Sequence, residues 1–409
     1  MVVQNNLKIG LFGYGCVGQG LHDILNSSTG FKADIVKIAV KDKTKKRRIP
    51  MSNFTYNKED ILGDEDINLI VELIDDADEA YEIVVDAMNR GKNVVTANKK
   101  MLAEHLEELV KIQEENNVSL LYEASSCASI PIIRNLEEYY DNEMLHSVRG
   151  IFNGSTNYIL SQMYNNGSDY AEVLQLAQDK GFAETDPSLD VDGFDAKFKL
   201  IIIALHAYGL FLKPEEVFNY GISKISKYDI QYAKEKGYKI KLVPMIEKIN
   251  NSTVSLFVLP RFISQDKYLF NVENEYNGII AEAAFSDKQF FYGKGAGGHA
   301  TGSAVLSDIS ANSYNYKYEY KKRNQGAVNT CSNDYLLEIY LRYHDKSDRE
   351  KLSFVSITES FYSENYNYVI GVIKLEDLFK IQDELKNMNV FIVNTGRKFP
   401  ENKTEEMYL

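Results

Sequence analysis

Apolar runs of strand length alternate with helical patterns through the first third of the chain. Continuous apolar segments at 7–12, 34–40 and 67–74 are typical of strands buried on both faces, and a further strand at 93–100 ends in polar residues. Helical spacing of apolar residues follows the first strand and recurs at 79–90 and 101–116. Strands and helices in alternation predict an α/β domain with a parallel sheet.

The middle and the end of the chain carry a different pattern. Helical segments at 135–143 and 169–180 precede strand-like segments at 239–246, 253–259 and 277–284, which predicts a mixed sheet with helices. A polar stretch rich in Tyr, Lys and Asn at 313–334 has the composition of a linker. Strands at 335–343, 368–373 and 390–394 and a helix at 375–387 then form a small module.

These patterns predict a Rossmann-type α/β domain, an α+β mixed-sheet domain and a C-terminal module. We expect the first at 1–130 together with about 300–315, the second at 131–299, a linker at 316–334 and the module at 335–409.

A glycine-rich turn follows the first predicted strand. Gly13, Gly15 and Gly18 form a GxGxxG motif, with Cys16 and Val17 between the last two glycines. Glycines there permit a tight turn, the approach of a pyrophosphate to the backbone, and close packing of helix and strand. Because the motif stands between a strand and a helix, it predicts dinucleotide binding; a purely structural turn is the alternative.

The end of the second strand distinguishes NAD from NADP. An acid at this position binds the ribose 2′-hydroxyl of NAD, whereas a base accepts the 2′-phosphate of NADP. Lys41 is followed by Asp42 and then by bases at 43, 45, 46, 47 and 48. The bases favour NADP, Asp42 leaves NAD open, and a solvated basic loop is the interpretation without a function.

Polar residues also mark the end of the strand at 93–100. Thr96, Asn98 and Lys99 come at its carboxyl end, and ligands of open α/β sheets bind just outside such ends. We therefore expect Thr96 and Asn98 near the cofactor. Lys99 is a candidate catalytic lysine, with a surface lysine before the next helix as the alternative.

An acidic segment at 181–195 precedes a very apolar run at 200–205. Asp195 and Lys199 are four residues apart and share one face of the predicted helix, which the apolar run predicts to be buried. A lysine entering a buried helix beside a carboxylate is costly unless it is used. Lys199 is therefore a candidate acid/base group in an acidic pocket suited to an ammonium group; an ordinary ion pair on a solvated first turn fits this segment equally well.

Composition narrows the class of function. The 409 residues carry a net charge of −13, which argues against nucleic acid as a partner. No apolar run of membrane-spanning length and no signal peptide are apparent, so no membrane partner is expected. Three widely spaced cysteines fit a reducing cytoplasm, and the six histidines show no metal-site spacing.

Four blocks of the sequence resemble homoserine dehydrogenases. They are VVTANK at 94–99, GIFNGSTNYIL at 150–160, GFAETDPSLDVDGFDAKFKL at 181–200 and GKGAGGHATGSAVLSDI at 293–309, in the order and spacing of that family. The resemblance implies NAD(P)-dependent interconversion of L-aspartate 4-semialdehyde and L-homoserine, on the route to threonine and methionine. It also implies a homodimer formed through the middle sheet.

The resemblance assigns catalytic roles to three residues. Lys199 would give and take the proton at the substrate oxygen, Lys99 would assist at the same oxygen, and Asp195 would support the substrate and the lysine. Two lysines suit this chemistry because nearby cations stabilise a developing alkoxide and can protonate it.

Further residues of these blocks would bind substrate and cofactor. Glu184 and Asp190 would hold the amino end of the substrate by charge-assisted hydrogen bonds. The junction of cofactor and substrate would comprise Asn153, Gly154 and Ser155, and Gly295 would lie at the cofactor. The remaining charged residues of the acidic segment, Asp186, Asp192 and Lys197, are expected to be turn, cap and solvated surface.

Two segments depart from the family pattern. Asp75 and Asp76 replace a glycine pair after the third strand. The family's glycine-rich loop has the sequence EASSCASIP at 123–131, where the resemblance implies a bound Na⁺ or K⁺ on the backbone carbonyls of Glu123, Ser126, Ala128 and Ile130. Cys127 in this loop is similar to the nucleophile of semialdehyde dehydrogenases, although replacement of a small residue is the simpler interpretation.

The resemblance implies an ACT domain, an amino-acid-sensing βαββαβ fold, at the C-terminal end. The stretch at 344–357 leaves too few residues for a full first helix. We therefore expect a shortened, degenerate ACT-like module, with a dimerisation appendage that binds no ligand as the alternative.

Two other functions stay open on the sequence alone. One is a catalytically weak, nucleotide-binding regulatory protein, suggested by the altered glycine positions. The other is a semialdehyde dehydrogenase that acts through Cys127. Retention of Lys99, Glu184, Asp190, Asp195 and Lys199 argues against the first.

Overall fold

The computed structural model describes residues 7–141, 144–324 and 329–402. The chain forms two compact units, of which the first comprises residues 1–139 and 294–321 and the second residues 140–293 and 322–409. These limits differ from the predicted ones, because residues 131–139, 294–299 and 316–321 belong to the first unit and the C-terminal module to the second.

The first unit contains a six-stranded parallel sheet. Its strands are β1 (Lys8–Phe12), β2 (Asp34–Ala39), β3 (Phe54–Thr55), β4 (Leu69–Glu72), β5 (Asn93–Thr96) and β6 (Leu120–Leu121). They lie in the order β3-β2-β1-β4-β5-β6, which is the order of dinucleotide-binding folds. β4 is buried along its whole length, as its continuous apolar sequence predicts. The predicted Rossmann-type sheet is confirmed.

Helices of the first unit follow the strands in alternation. They span Cys16–Ser27, Glu59–Leu62, Ala77–Asn89, Lys99–Asn116, Ile132–Arg134 and Gly298–Asn312, and a π-helical turn covers Asn135–Tyr139. Of the helix predicted at 135–143, the structure contains the π-helical turn Asn135–Tyr139, and residues 142–143 lie outside the described residues. The helix Gly298–Asn312 packs closely on Cys16–Ser27, since a Cβ on Gly302 would lie 2.7 Å from the Leu21 nitrogen.

The tyrosine-rich segment 314–320 is part of the first unit. Tyr318 and Tyr320 are buried. The Glu137 carboxylate accepts hydrogen bonds from the backbone N–H groups of Glu319 and Tyr320, at 3.1 Å each. This first part of the predicted linker is thus packed in place, and the Tyr318 ring makes edge contacts with the rings of Tyr316 and Tyr320.

The second unit contains a mixed sheet. Its path runs β12-β11-β7-β9-β10-β17-β14-β16-β15, and two short strands, β8 and β13, pair with β10. The strands are β7 (Leu145–Ile151), β8 (Phe218–Asn219), β9 (Tyr238–Lys248), β10 (Thr253–Ser264), β11 (Tyr276–Ala283), β12 (Asp287–Lys294), β13 (Thr330–Cys331), β14 (Leu336–Tyr343), β15 (Phe354–Phe361), β16 (Asn367–Lys374) and β17 (Val390–Asn394). β10 pairs antiparallel with β9 and parallel with β8, β13 and β17, so the predicted mixed sheet is confirmed.

The helices of this unit lie between its strands along the chain. They span Gly154–Asn166, Tyr170–Asp179, Ser188–Val191, Phe194–Tyr208, Lys227–Glu235, Lys346–Glu350, Leu375–Lys380 and Gln382–Leu385, and a short helix at Lys321–Asn324 crosses the boundary between the units. No helix in the described ranges is both long and apolar enough to cross a bilayer.

The C-terminal strands β14 to β17 have a β-α-β-β-α-β connectivity. They lie in the order β17-β14-β16-β15 with antiparallel neighbours. The first helix, Lys346–Glu350, has five residues, and the helix predicted at 375–387 is broken at Ile381. β15 was not expected from the sequence. Its side chains are mostly exposed, so the alternation that marks a half-buried strand is weak.

The two parts of this sheet share one hydrophobic core. Phe218, Phe257 and Leu259 from the mixed sheet lie in the same buried cluster as Leu337 and Ile392 from the C-terminal strands. The C-terminal strands therefore form part of the second unit and contribute to its core.

Candidate active site

The glycine-rich turn connects β1 to the helix Cys16–Ser27. Gly13 has a φ of +95°, and a Cβ there would lie 2.5 Å from the Leu73 carbonyl oxygen, so only glycine fits. A Cβ on Gly18 would lie 2.5 Å from the Gly13 oxygen, whereas a Cβ on Gly15 would meet no atom within 4 Å. The space above Gly15, at a helix N-terminus begun by the exposed Cys16, fits the pyrophosphate of a dinucleotide. Val17 is the second residue of that helix.

In the loop after β2, the side chains of Lys41 and Asp42 both have partners within the first unit. Lys41 forms an ion pair with Glu79. Asp42 accepts hydrogen bonds from the N–H and the hydroxyl of Thr44, both at 2.7 Å, and these bonds lower the pKa of Asp42. The carboxylate of Asp42 therefore stabilises its own turn.

The carboxyl ends of β4 and β5 are joined by a buried acid, Glu72. Its carboxylate accepts hydrogen bonds from the Thr96 hydroxyl at 2.5 Å and from the Ile74 N–H at 2.6 Å. Burial raises the pKa of Glu72 to about 7. Glu72 was not among the predicted site residues, although an acid inside the apolar run at 67–74 is visible in the sequence.

Asn98 begins the helix that carries Lys99. Its Oδ1 accepts a hydrogen bond from the Met101 N–H at 3.0 Å, and its Nδ2 donates to the Ile74 carbonyl at 3.2 Å. Lys99 is thus the first residue of a capped helix. Asp76 caps the preceding helix in the same way, by accepting a hydrogen bond from the Glu79 N–H at 2.9 Å, and Asp75 is exposed.

The loop at 123–131 is held by its own backbone. The Glu123 carbonyl accepts the Ser126 N–H at 3.3 Å, and the Ile130 carbonyl accepts the Ile132 N–H at 2.8 Å. Ala128 adopts a φ of +44°, so the left-handed conformation persists here without glycine. Cys127 is completely buried, which does not suit a nucleophile that must reach an aldehyde.

In the second unit, one side chain links the acids of the acidic segment. Asn153 follows β7 and caps the helix Gly154–Asn166, its Oδ1 accepting the Thr156 N–H at 2.8 Å. Its Nδ2 lies 2.7 Å from an Asp190 oxygen and 2.8 Å from an Asp195 oxygen. Residues 42 positions apart thus form one buried network.

Lys199 completes this network. Its Nζ lies 2.8 Å from Asp195 and donates to the Phe152 carbonyl at 2.7 Å. Both side chains of the pair are more than nine-tenths buried, so a solvated first-turn pair is not what the structure contains. Burial, followed by repulsion from Asp195, raises the pKa of Asp190.

Gly154 and Ser155 form the first turn of the capped helix. A Cβ on Gly154 would lie 2.6 Å from the Glu275 carbonyl oxygen, which requires glycine. The Ser155 hydroxyl donates to the Phe182 carbonyl at 2.5 Å.

Two residues of the acidic segment differ from their expected places. Glu184 is exposed, and its carboxylate has no hydrogen-bond or ion-pair partner among residues 7–141, 144–324 and 329–402, so it is not brought into the network.

Lys197 was expected at the solvated surface, and this was wrong: it is 4% exposed because the helix Phe194–Tyr208 is buried all round. Burial lowers the pKa of Lys197 to about 8. Asp186 accepts from the Ser188 N–H in a turn, as expected, and Asp192 accepts from the Ser223 hydroxyl.

The predicted site residues fall in both units. Those for the nucleotide, together with Lys99 and the buried Gly295, belong to the first unit, and Asn153, Gly154, Ser155, Glu184, Asp190, Asp195 and Lys199 belong to the second.

Known proteins with similar sequences and structures agree on one family. A model of the NAD-binding domain of homoserine dehydrogenase matches residues 13–123, and a homoserine dehydrogenase model matches residues 131–310. The homoserine dehydrogenase of Bacillus subtilis (strain 168) is 34% identical over 374 residues, which cover 87% of this chain and 84% of that protein.

Solved structures give the same result. The crystal structure of a homoserine dehydrogenase from Thiobacillus denitrificans superposes with a TM-score of 0.83 at 27% identity, covering 96% of this chain and 98% of that one. A hyperthermophilic archaeal homoserine dehydrogenase in complex with NADPH has a TM-score of 0.66 at 26% identity, covering 77% of this chain and 99% of that one. These matches do not favour a regulatory protein or a semialdehyde dehydrogenase. The chain therefore belongs to the homoserine dehydrogenase family, the NAD(P)-dependent oxidoreductases that act on the CH–OH group of homoserine.

Proposed function

We propose that Lys199 exchanges the proton at the substrate oxygen when this chain interconverts L-aspartate 4-semialdehyde and L-homoserine. The observation that carries this proposal is the Lys199–Asp195–Asn153–Asp190 network, in which all side chains but the half-buried Asp190 are buried. A lysine ammonium has three N–H donors. Asp195 and the Phe152 carbonyl take two of them, which leaves one for a substrate oxygen.

The proposed chemistry needs a proton as well as a hydride. Bound NADPH supplies the hydride. Lys199 donates its proton to the oxygen as negative charge develops there, and in the reverse direction neutral Lys199 accepts the hydroxyl proton. Asp195 holds the lysine in place throughout.

Binding of the substrate is assigned to the remaining polar groups. Asp190 shares the Asn153 amide with Asp195 and offers a half-buried carboxylate for the substrate ammonium group. Glu184 is the second carboxylate that the family pattern gives to this group, and Lys99 is the assisting cation in the same pattern. Asn153, Gly154 and Ser155 shape the end of the helix beside these acids.

NADP is the proposed cofactor form. The turn after β2 contains exposed bases at 43, 45, 46 and 48 and the half-buried Arg47, and the Asp42 carboxylate is engaged by Thr44. A 2′-phosphate would therefore meet bases, while the acid that would bind a free ribose hydroxyl is already occupied.

Other features are proposed from the family pattern and the connectivity. The carbonyls of Glu123, Ser126, Ala128 and Ile130 would bind Na⁺ or K⁺, which prefer oxygen ligands. The β-α-β-β-α-β segment after residue 335 would be a shortened ACT-like module. We further propose a homodimer located in the cytoplasm.

The assay follows NADPH absorbance with aspartate semialdehyde, and NADP⁺ reduction with homoserine. The wild-type protein should turn over in both directions. Lys199→Met should lower kcat by about 10²–10⁴-fold, the usual contribution of a general acid–base group, with little change in the dissociation constant of NADPH.

Lys197→Met is the matched control. Lys197 is a buried lysine two residues away on the same helix, outside the network. It should keep kcat within about threefold of wild type, well below the effect of a general acid–base group. Absence of turnover with either cofactor would contradict the reaction, and near-normal kcat in Lys199→Met would contradict the proton donor.

A further inference from the structure

We infer that Asn277 is a positioning residue for Lys199, an inference that rests on the proposed function. Asn277 lies on β11 and is completely buried. Its Nδ2 donates a hydrogen bond to the Phe152 carbonyl at 3.0 Å, and Lys199 Nζ donates to the same oxygen at 2.7 Å. One carbonyl oxygen thus accepts both groups.

The shared acceptor limits where Lys199 can lie. A carbonyl oxygen has two lone pairs, so the amide of Asn277 takes one direction and leaves the other for the ammonium group. The remaining direction is on the side where Asp195 holds the same ammonium at 2.8 Å. Asn277 therefore confines the lysine without touching the substrate.

The sheet register fixes Asn277 beside Phe152. β11 pairs antiparallel with β7, and Gly278 lies opposite Ile151. Asn277 is therefore next to the residue that follows β7, where the chain turns into the helix capped by Asn153. A positioning group on a rigid strand holds its target more closely than one on a loop.

The other half of the Asn277 amide has no hydrogen-bond partner within the part of the chain that the structure describes. Its Oδ1 is buried and accepts no hydrogen bond from the described residues. Such an unpaired acceptor is destabilising, so an apolar side chain would fill this space at lower cost. Flipping the amide would place Oδ1 against the Phe152 oxygen, which fixes the orientation seen. The polar side chain is thus explained by the bond that Nδ2 makes.

The test is Asn277→Leu, which keeps the volume and removes the donor. Its kcat for homoserine oxidation should fall about tenfold, the scale expected when a catalytic group is displaced by less than an ångström, while KM changes less than about twofold. The solvent deuterium isotope effect on kcat should rise, because proton transfer from the homoserine hydroxyl to a displaced lysine becomes slower. Tm should change by less than about 3 °C.

The double variant Asn277→Leu/Lys199→Met locates the effect. If Asn277 acts through Lys199, the double variant should be no slower than Lys199→Met alone, whereas independent losses would multiply and overturn the inference. Asn394→Leu is the control, since Asn394 is a buried strand asparagine whose Oδ1 accepts the Gly396 N–H. It should leave kcat and the isotope effect unchanged.

Labelling of Lys199 by an amine-reactive reagent, read by mass spectrometry, gives a measurement that does not depend on turnover. Asn277→Leu should be labelled faster than wild type because its lysine is less confined. Unchanged labelling with unchanged kcat would overturn the inference, and a wild-type protein without turnover would instead contradict the proposed function. Asn277→Ala is the second variant if leucine lowers Tm.

Discussion

Single buried side chains decide how the strand and helix ends of this molecule are held. Glu72 ties the ends of β4 and β5 together through Thr96 and the Ile74 N–H. Lys197 and Lys199 are both buried on one helix, but Lys199 forms an ion pair with Asp195 whereas Lys197 lies over the Phe194 ring. Burial therefore does not identify the functional group; its partners do.

Glu72→Gln should change how stability depends on pH. The pKa of Glu72 is about 7 in the folded protein and 4.5 in a solvated chain, so the fold favours the protonated form. This contribution is complete below pH 4.5 and is lost as the pH rises through 7. With about 1.4 kcal/mol for each pKa unit, the loss is on the order of 3 kcal/mol.

Glutamine retains the shape of Glu72 but does not titrate. The free energy of unfolding of the wild type should therefore fall relative to Glu72→Gln between pH 5 and about pH 7.5, measured by urea denaturation. The exposed Glu82→Gln is the control and should follow the wild type. Parallel pH profiles for wild type and Glu72→Gln would contradict the assignment.

At the scale of elements, helix starts organise both sets of site residues. Asn98 caps the helix that begins at Lys99, and Asn153 caps the helix that begins at Gly154. The asparagine cap has two ends: Oδ1 satisfies the helix, and Nδ2 reaches a neighbouring chain segment. Asn153 therefore follows a strand, starts a helix and donates to two acids, Asp190 and Asp195.

Asn153→Ala should cost more than the loss of a cap. Loss of an asparagine cap lowers the free energy of unfolding by about 0.5–2 kcal/mol. Loss of Nδ2 lowers it further, because Asp190 and Asp195 then lack the donor that they share. Asp76→Ala removes a cap alone and is the control. Urea denaturation should show the larger loss for Asn153→Ala; equal losses would mean that Nδ2 contributes nothing.

At the scale of the whole molecule, the second unit is held by a core that the C-terminal strands complete. Phe218, Phe257 and Leu259 share a buried cluster with side chains after residue 334. Folded proteins rarely leave a contiguous apolar patch as large as this cluster exposed to water. If the C-terminal strands were a separate module joined only by a linker, Phe218, Phe257 and Leu259 would be exposed or would need other side chains to cover them.

Ending the chain at Asp334 should therefore uncover this cluster. We expect the shortened protein to aggregate, or to lose its cooperative thermal transition, when it is compared with the full chain by analytical ultracentrifugation and calorimetry. A monodisperse product with an unchanged Tm would show that the C-terminal strands are independent of the core. Met245→Ser in the full chain, within the same cluster, should lower Tm without removing the strands.

Local patterns predicted the elements that carry the site. The apolar runs at 7–12 and 67–74 are strands, and the GxGxxG lies between a strand and a helix, because each pattern repeats within a few residues. The four-residue spacing placed Asp195 and Lys199 on one face. β15 was not predicted, because its exposed side chains show no clear alternation of apolar and polar residues.

The sequence by itself determined the class of the sheet, the nucleotide-binding turn and the Asp195–Lys199 pair, since all of these depend on neighbours along the chain. Only the tertiary structure decided which acids join that pair, because Asn153 brings Asp190 to it and leaves Glu184 exposed. It alone placed Asn277 beside Phe152, 125 residues away, and buried Lys197. Contacts between distant residues depend on how sheets pair and helices pack, and no local pattern records them.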